Sequence, residues 1–389
     1  MEFEVLIDLA KTITRNKIKN IEVLGNSRGK KNRVELLYDG IISDKFKSER
    51  DVVRHLFNSY DTRNPSYLKL KNKLIHQLIN SSFFVDVNQP SYNERAKAYY
   101  AAHKDFAAAT ILMSRNSEKS GLYIFQLVLE QAIKYEFIGL AADAARMLRW
   151  NYARSSSDYE KNSQYTDIHR KYEKIRYYEN LVMEEYETLI RYYTVKRSPN
   201  KEIHNYATIC FNRFFPMLEK VNTSSFHFYV YSIGIIKYWS ANDIENTLKL
   251  CDDVLYILES RKNTNRSTLV SIKIQKMACY VHLRINDHKT IQDLLIYCLS
   301  VHEEGDFNWF RVYEVYFYYC IYFSRYNEAV EVYSKVIKSI TFNLLDGSFH
   351  DNWLLLGGYL HLLANLGVLA SNKVEEVVGP FRYSKFFNE

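Results

Sequence analysis

The chain has 389 residues and a net charge of +7, with 47% hydrophobic and 25% charged residues. This balance excludes a disordered chain. Only 5 prolines and 12 glycines are present, and no glycine lies between Gly139 and Gly234. A protein of many short strands needs turn formers about every 8–12 residues, so a β-sandwich or barrel is excluded as well. The composition predicts an all-α fold of long helices joined by short polar loops.

Residues 1–90 predict a small, basic N-terminal helical domain. Sixteen lysines and arginines accompany eleven acidic residues in this stretch, so it carries most of the positive net charge. Helices are expected at 2–14, 33–43, 49–58 and 64–80. The last of these begins at Asn64-Pro65, where the asparagine is a good N-cap and the proline suits the first helical position.

A basic cluster lies between residues 11 and 33 of this domain, opposed only by Glu22. Clustered cations neutralise phosphates, which favours contact with a nucleic acid or another anion; a solvated face that aids solubility is the alternative. The loop at Gly25 and Gly29 lacks the spacing of a phosphate-binding P-loop. The cluster consists of Lys11, Arg15, Lys17, Lys19, Arg28, Lys30, Lys31 and Arg33, of which Arg28, Lys30, Lys31 and Arg33 are the candidate anion contacts.

Gln89-Pro90 marks the expected boundary to a second domain, residues 91–389, built from antiparallel helical hairpins. Ser91 and Glu94 have the spacing of a capping box, which predicts a helix over 92–113. Pro216 lies inside a helical pattern, so the helix that contains it should kink or end near Phe215. The expected hairpins pair 118–134 with 136–154, 199–220 with 224–240, 243–260 with 265–285, 288–303 with 308–323, and 326–341 with 350–370.

A long helix is expected near 158–195, because an apolar residue recurs there every seven positions. This seam predicts either a long antiparallel pair within the chain or a coiled coil between two copies. Its members are the candidate self-association residues. They are Ile168, Ile175, Val182 and Leu189, and a second row offset by four contains Tyr172, Glu179, Tyr186 and Tyr193.

The hairpins from about residue 224 onwards resemble degenerate tetratricopeptide repeats, which place large and small residues at fixed positions of two helices. The clearest unit has Tyr313, Tyr316-Phe317, Cys320, Ala329, Tyr333 and Val336 in these positions, and a second has Tyr231, Gly234-Ile235, Tyr238, Thr247, Cys251 and Val254. The resemblance implies a right-handed superhelix of helical hairpins with a concave binding face, and it implies no chemistry. Tyr231, Tyr238, Tyr313 and Tyr316 are expected in the hairpin core rather than in a groove.

No motif in the sequence predicts catalysis, a cofactor or a metal site. The eleven histidines are never three or four residues apart, and HExxH, GxSxG and GxGxxG are missing. The five cysteines form no CxxC pair, so we expect small buried side chains in a reducing, cytoplasmic compartment. Acidic residues precede the first apolar stretch, which is the reverse of a signal peptide. Residues 353–370 are shorter than the roughly 20 apolar residues of a membrane span and are expected to form a buried core helix.

Residues 381–389 contain four aromatic side chains, including Phe386 and Phe387. We expect 380–387 either to pack on the last helices or to form a self-association surface. Taken together, these patterns predict a non-enzymatic scaffold or adaptor that binds a protein or peptide through a helical-repeat surface. The alternatives are a nucleic-acid-binding protein and a ligand-sensing regulator that use the basic N-terminal region. Assembly into a homo-oligomer is a further expectation.

Overall fold

The structure is a computed structural model. It describes residues 32–83, 93–154, 159–194, 200–261, 264–339 and 347–379, with Phe3, Leu6, Ile7, Ala10, Lys11, Thr341, Phe342 and Leu345. Apart from 3-10 structure at Phe215–Met217 and Phe342, all regular structure in these residues is α-helical, which confirms the all-α prediction. The chain divides into two compact units, 1–117 and 118–389. The sequence-based boundary lies at residue 90, so the helix after it groups with the N-terminal unit.

The N-terminal unit contains four helices that are described from end to end, and their starts are fixed by local capping; the described residues between Phe3 and Lys11 are helical as well. At α1, the Asn32 side chain accepts from the backbone N–H of Glu35 at 2.9 Å, and Glu35 accepts in return from the backbone of Asn32. The α4 helix begins after Asn93 rather than in the predicted Ser91 capping box, and the Asn93 side chain accepts from Ala96 N–H at 2.8 Å. The helices are α1 (Arg33–Ile42), α2 (Glu49–Phe57), α3 (Pro65–Ser82) and α4 (Glu94–Ser114).

The C-terminal unit contains twelve described helices that pack mainly on their neighbours in the chain. Two of the predicted helices, 118–134 and 224–240, have the expected bounds, and most others differ by one to four residues. The last helix was not predicted. The helices are α5 (Glu118–Lys134), α6 (Ile138–Ala153), α7 (Tyr159–Thr194), α8 (Asn200–Phe214), α9 (Ser224–Ser240), α10 (Ile244–Glu259), α11 (Arg266–His282), α12 (His288–Val301), α13 (Phe307–Tyr322), α14 (Tyr326–Ile337), α15 (Gly347–Asn365) and α16 (Ser371–Val378).

Four helix pairs of this unit are joined by the same tight turn, although none of the turns uses a glycine. In each, one residue has a φ of 54–58°, and the next backbone N–H bonds to a carbonyl five residues earlier. These are the bonds of a Schellman motif, which satisfies the last carbonyls of a helix. The turns pair α5 with α6, α9 with α10, α11 with α12, and α13 with α14. The first pairing agrees with the prediction, whereas the four later predicted pairings, 199–220 with 224–240, 243–260 with 265–285, 288–303 with 308–323, and 326–341 with 350–370, are each shifted by one helix, although α8 also packs on α9. The left-handed residues are Glu136, Asn242, Arg284 and Ser324.

The α7 helix is continuous over 36 residues, about 54 Å, and two members of its apolar seam, Val182 and Leu189, are covered within the chain. Its first half lies against α6, where Asn162 Nδ2 donates to the Arg149 carbonyl at 2.8 Å. Its second half packs on α8 and α9, and there Val182 and Leu189 have no exposed surface. Intramolecular packing therefore accounts for Val182 and Leu189, whereas self-association through Ile168 and Ile175, which are partly exposed, stays a prediction.

Pro216 ends α8 as the sequence predicted. The α-helix stops at Phe214, and a single 3-10 turn, Phe215–Met217, follows. The proline lacks the N–H that a continuing helix needs and its ring crowds the preceding turn. The break lets the chain reverse into α9 within a few residues.

Candidate ligand-binding groove

The helices α13, α14 and α15 are held together by one fully buried tryptophan. Trp353 lies between two aromatic rings, with centroid distances of 6.1 Å to Phe317 of α13 and 6.3 Å to Tyr333 of α14. Gly357, one turn further along α15, allows the close approach of α14: a Cβ at this position would lie 2.3 Å from the Tyr333 hydroxyl. The glycine and the tryptophan fix the spacing of the three helices, and a groove lies between α13 and α15.

The groove is an open cavity of about 580 Å³. Its volume falls within the range of about 300–1,000 Å³ that small-ligand sites occupy, and its lining is mostly aromatic and aliphatic. Phe317 and Leu356 form its buried part, whereas Tyr322 is 54%, Leu355 52% and Tyr359 41% exposed. The lining residues are Phe317, Tyr318, Ile321, Tyr322, Asn352, Leu355, Leu356 and Tyr359.

A short chain of polar groups runs from the groove into the protein. Asn352, which lines the groove beside Tyr318, donates from Nδ2 to Glu314 Oε1 at 2.6 Å. The other oxygen of Glu314 accepts from Arg311. Burial raises the pKa of Glu314 above its ordinary value, and the ion pair with Arg311 only partly opposes this effect. The groove therefore combines apolar walls with one oriented amide, a combination suited to a peptide or another amphiphilic chain.

The apolar surface extends beyond the groove along α15. Leu362 is 49% and Leu366 67% exposed, and both lie on the same face of the helix as Leu355 and Tyr359. The sequence suggested a buried core helix over 353–370, but α15 ends at Asn365 and only one of its faces is buried. Successive exposed large apolar side chains on one helix are a signature of an interaction surface. The signal available in the sequence was that apolar residues occupy more of this helix than a single buried face requires.

The predicted anion contacts lie mostly outside the described residues. Arg28, Lys30 and Lys31 are not among the described residues, and Arg33 is exposed at the first position of α1, with its guanidinium 5.0 Å from the ring centre of Phe57. Lys11, another member of the basic cluster, pairs with Asp44 at 2.8 Å. Contact between this cluster and a nucleic acid stays a prediction.

The predicted self-association residues divide into three groups. Val182 and Leu189 are fully buried, and Ile168 and Ile175 are partly exposed on α7. Phe386 and Phe387 lie outside the described residues, so a role for them stays a prediction. Three of the four tyrosines expected in the hairpin core, Tyr231, Tyr313 and Tyr316, are buried there.

The described part of the chain offers little that points to bond-making chemistry. It contains no group of three or more His, Cys, Asp or Glu side chains that could hold a metal ion. All five cysteines are free and buried, and burial raises the pKa of Cys210, Cys298 and Cys320 to about 12 each. A thiol with so high a pKa is a poor nucleophile near neutral pH.

Among the described helices, none combines the length with the apolar composition needed to span a bilayer.

In comparisons with known proteins, the chain matched no family model, no curated protein and no solved structure. The groove and the packing of the helices are therefore the features that bear on function.

Proposed function

We propose that the chain is a non-enzymatic scaffold or adaptor that binds a peptide segment of a partner protein in the groove between α13 and α15. The observation that carries this proposal is the groove itself, with three partly exposed apolar side chains on its walls and the Asn352 amide in its lining. Aromatic and aliphatic anchors in a pocket contribute most of the binding energy of such complexes. Asn352 Nδ2 already donates to Glu314, so its Oδ1 is the atom that would accept from a backbone N–H of a bound peptide.

The wider architecture in this proposal is a right-handed superhelix of tetratricopeptide-like hairpins. Supporting it, α11 contacts both its hairpin partner α12 and the first helix of the next hairpin, α13. Contacts of this kind, confined to neighbours, are typical of stacked repeats. A reducing, cytoplasmic location belongs to the same proposal, since the five cysteines are free and buried.

The proposal is tested by selecting peptides from a displayed random dodecapeptide library against the full chain. The selected peptides are then titrated calorimetrically against the parent and against Leu355→Asp. Leu355 is 52% exposed, so the substitution should leave the fold intact while it places a charge on the groove wall. We expect the affinity to fall by about tenfold or more.

The matched control is Ile209→Asp, the same kind of change at a position 66% exposed on α8. This variant should bind the selected peptides as the parent does. Failure to select any peptide, or equal losses in both variants, would contradict the proposal. Circular dichroism on each variant establishes that the helices are retained.

A further inference from the structure

We propose that residues 380–389 of the chain itself occupy the groove between α13 and α15 and the exposed apolar face of α15, so that a partner peptide must displace them. The first support is where the described chain ends. The α16 helix packs on α15, and the carbonyl of Gly379 accepts from His361 Nε2 at 2.8 Å. The segment that follows therefore starts beside α15.

The faces of α15 give the path that this segment would take. Successive residues of an α-helix are rotated by about 100° around the helix axis. Viewed along this axis, Leu362 lies about 100° from His361, and Tyr359 lies about 60° beyond Leu362 in the same direction. Leu362 is 49% exposed, and Tyr359 lines the groove. An apolar path thus leads from the end of α16, across the open face of α15, into the groove.

The segment is long enough for this path. Half the circumference of a helix with its side chains is about 17 Å, whereas ten extended residues span up to about 33 Å. Gly379, with a φ of 66°, ends α16, and Pro380 cannot continue a helix. The chain therefore leaves α16 in a conformation suited to an extended segment.

The sequence of the segment complements the apolar path. In an extended chain alternate side chains share a face, so Phe381, Tyr383 and Phe387 would lie on one side together with Lys385, and Phe386 would lie on the other. Three aromatic rings on one face match the apolar walls of the groove. A covalently attached segment also acts at an effective concentration in the millimolar range, which favours it over a second copy of the chain.

The consequence for partner binding rests on the proposed function, because the tail would compete with the partner peptide. If the tail dissociates from the groove with a constant of about 100 μM and acts at about 1 mM, it fills roughly nine-tenths of the grooves. The apparent affinity of the partner then falls by about tenfold.

The location of the tail is tested by cysteine cross-linking in the full chain. The pair Leu355→Cys with Lys385→Cys, which keeps the aromatic side chains of the tail, is oxidised with diamide, and non-reducing electrophoresis and peptide mass analysis follow. We expect an intramolecular disulfide that forms at least about tenfold faster than in the control pair Ile209→Cys with Lys385→Cys. Equal rates in the two pairs, or a link only between two chains, would overturn the proposal.

Competition is tested with the peptides selected for the groove. The full-chain variant with Tyr383→Ser and Phe387→Ser should bind them about tenfold more tightly than the parent, whereas Phe386→Ser should bind as the parent does. If the cross-link forms but no peptide binds, the position of the tail in the groove is supported and the proposed function is rejected. If peptides bind equally well to the parent and the tail variants, and no cross-link forms, the position of the tail in the groove is rejected and the proposed function is supported.

Discussion

Single residues decide how closely the C-terminal helices approach one another. Gly357 is the clearest case, because a Cβ there would lie 2.3 Å from Oη and 2.7 Å from Cζ of Tyr333. Tyr333 is itself 3% exposed and cannot move aside freely. Helix propensity would favour alanine at this position by about 1 kcal/mol, but overpacking typically costs about 1–3 kcal/mol. The steric effect should therefore prevail.

Gly357→Ala is accordingly expected to lower the free energy of unfolding by about 1–2 kcal/mol, as measured by urea denaturation. The control is Gly139→Ala on α6, where the nearest atom to an added Cβ is Arg176 Cδ at 3.8 Å. That variant should be as stable as the parent or more stable by up to about 1 kcal/mol. Equal effects of the two substitutions would show that close packing at Gly357 is not limiting.

The buried carboxylate beside the groove should give stability a distinctive pH dependence. Burial raises the pKa of Glu314 above its ordinary value of 4.5, despite the opposing ion pair with Arg311. The stabilisation from a raised pKa is fully present below pH 4.5 and is lost as pH rises through the folded-state value. The stability of Glu314→Gln relative to the parent should therefore increase between pH 4.5 and 7, as followed by urea denaturation across this range.

Glu328 on α14 serves as a control, because its pKa is shifted in the direction opposite to that of Glu314. Burial alone would raise its pKa, but hydrogen bonds from Arg325 and Tyr316 outweigh burial and lower it. Its contribution is present above pH 4.5 and is lost as pH falls through the lowered pKa, so Glu328→Gln should gain relative stability towards acid. The same trend in both variants would contradict the assignment of the two environments.

Among the elements, the helices are defined by caps and breaks that act locally, whereas the turns between them contain strain. A residue other than glycine with a positive φ places its Cβ close to the following carbonyl, which costs about 1–2 kcal/mol. The turn residues Glu136, Asn242, Arg284 and Ser324 all adopt this conformation. Glu136 has a compensating role, since its carboxylate accepts from Ser224 N–H at 2.8 Å and pairs with Arg261 at 3.2 Å.

Arg284 is exposed and is the position where this strain should be easiest to relieve. Arg284→Gly should raise the free energy of unfolding by about 0.5–1 kcal/mol, because glycine adopts the left-handed conformation without a Cβ clash. Thermal and urea denaturation provide the measurement. Arg284→Ala, which keeps the Cβ, should leave stability nearly unchanged; a gain of the same size in both variants would argue against relief of backbone strain.

At the scale of the whole molecule, the C-terminal unit has separate apolar clusters along its length rather than one central core. Val182 belongs to the cluster of α7, α8 and α9, and Leu360 belongs to the cluster formed by the helices from α11 to α16. Each cluster contacts mainly its neighbours, so stability should vary along the chain.

Leu360→Ala and Val182→Ala test this arrangement, because both residues are fully buried. Each should cost about 1–5 kcal/mol, mostly within its own cluster. Hydrogen exchange followed by mass spectrometry should show faster exchange in α13–α16 for the first variant and in α7–α9 for the second. Uniform acceleration over both clusters in either variant would instead indicate a single cooperative unit.

The sequence by itself determined the helical class and most helix bounds, because these depend on short-range effects. Scarce glycine and proline, the Asn64-Pro65 start and the break at Pro216 all act within one or two helical turns. The Schellman turns could not be predicted, since Glu136 and Arg284 carry no local preference for a positive φ and adopt it because the helices on either side are packed.

Only the tertiary structure decided which apolar residues remain uncovered. In α15 the buried Trp353 and Leu360 and the exposed Leu355 and Leu362 are chemically alike in sequence, and a helix apolar on several faces gives no periodic signal that separates them. The groove arises because α13 and α14 cover one face of α15 while the adjacent face is left open. Coverage is a property of neighbouring helices, and residues far apart in the chain determine it.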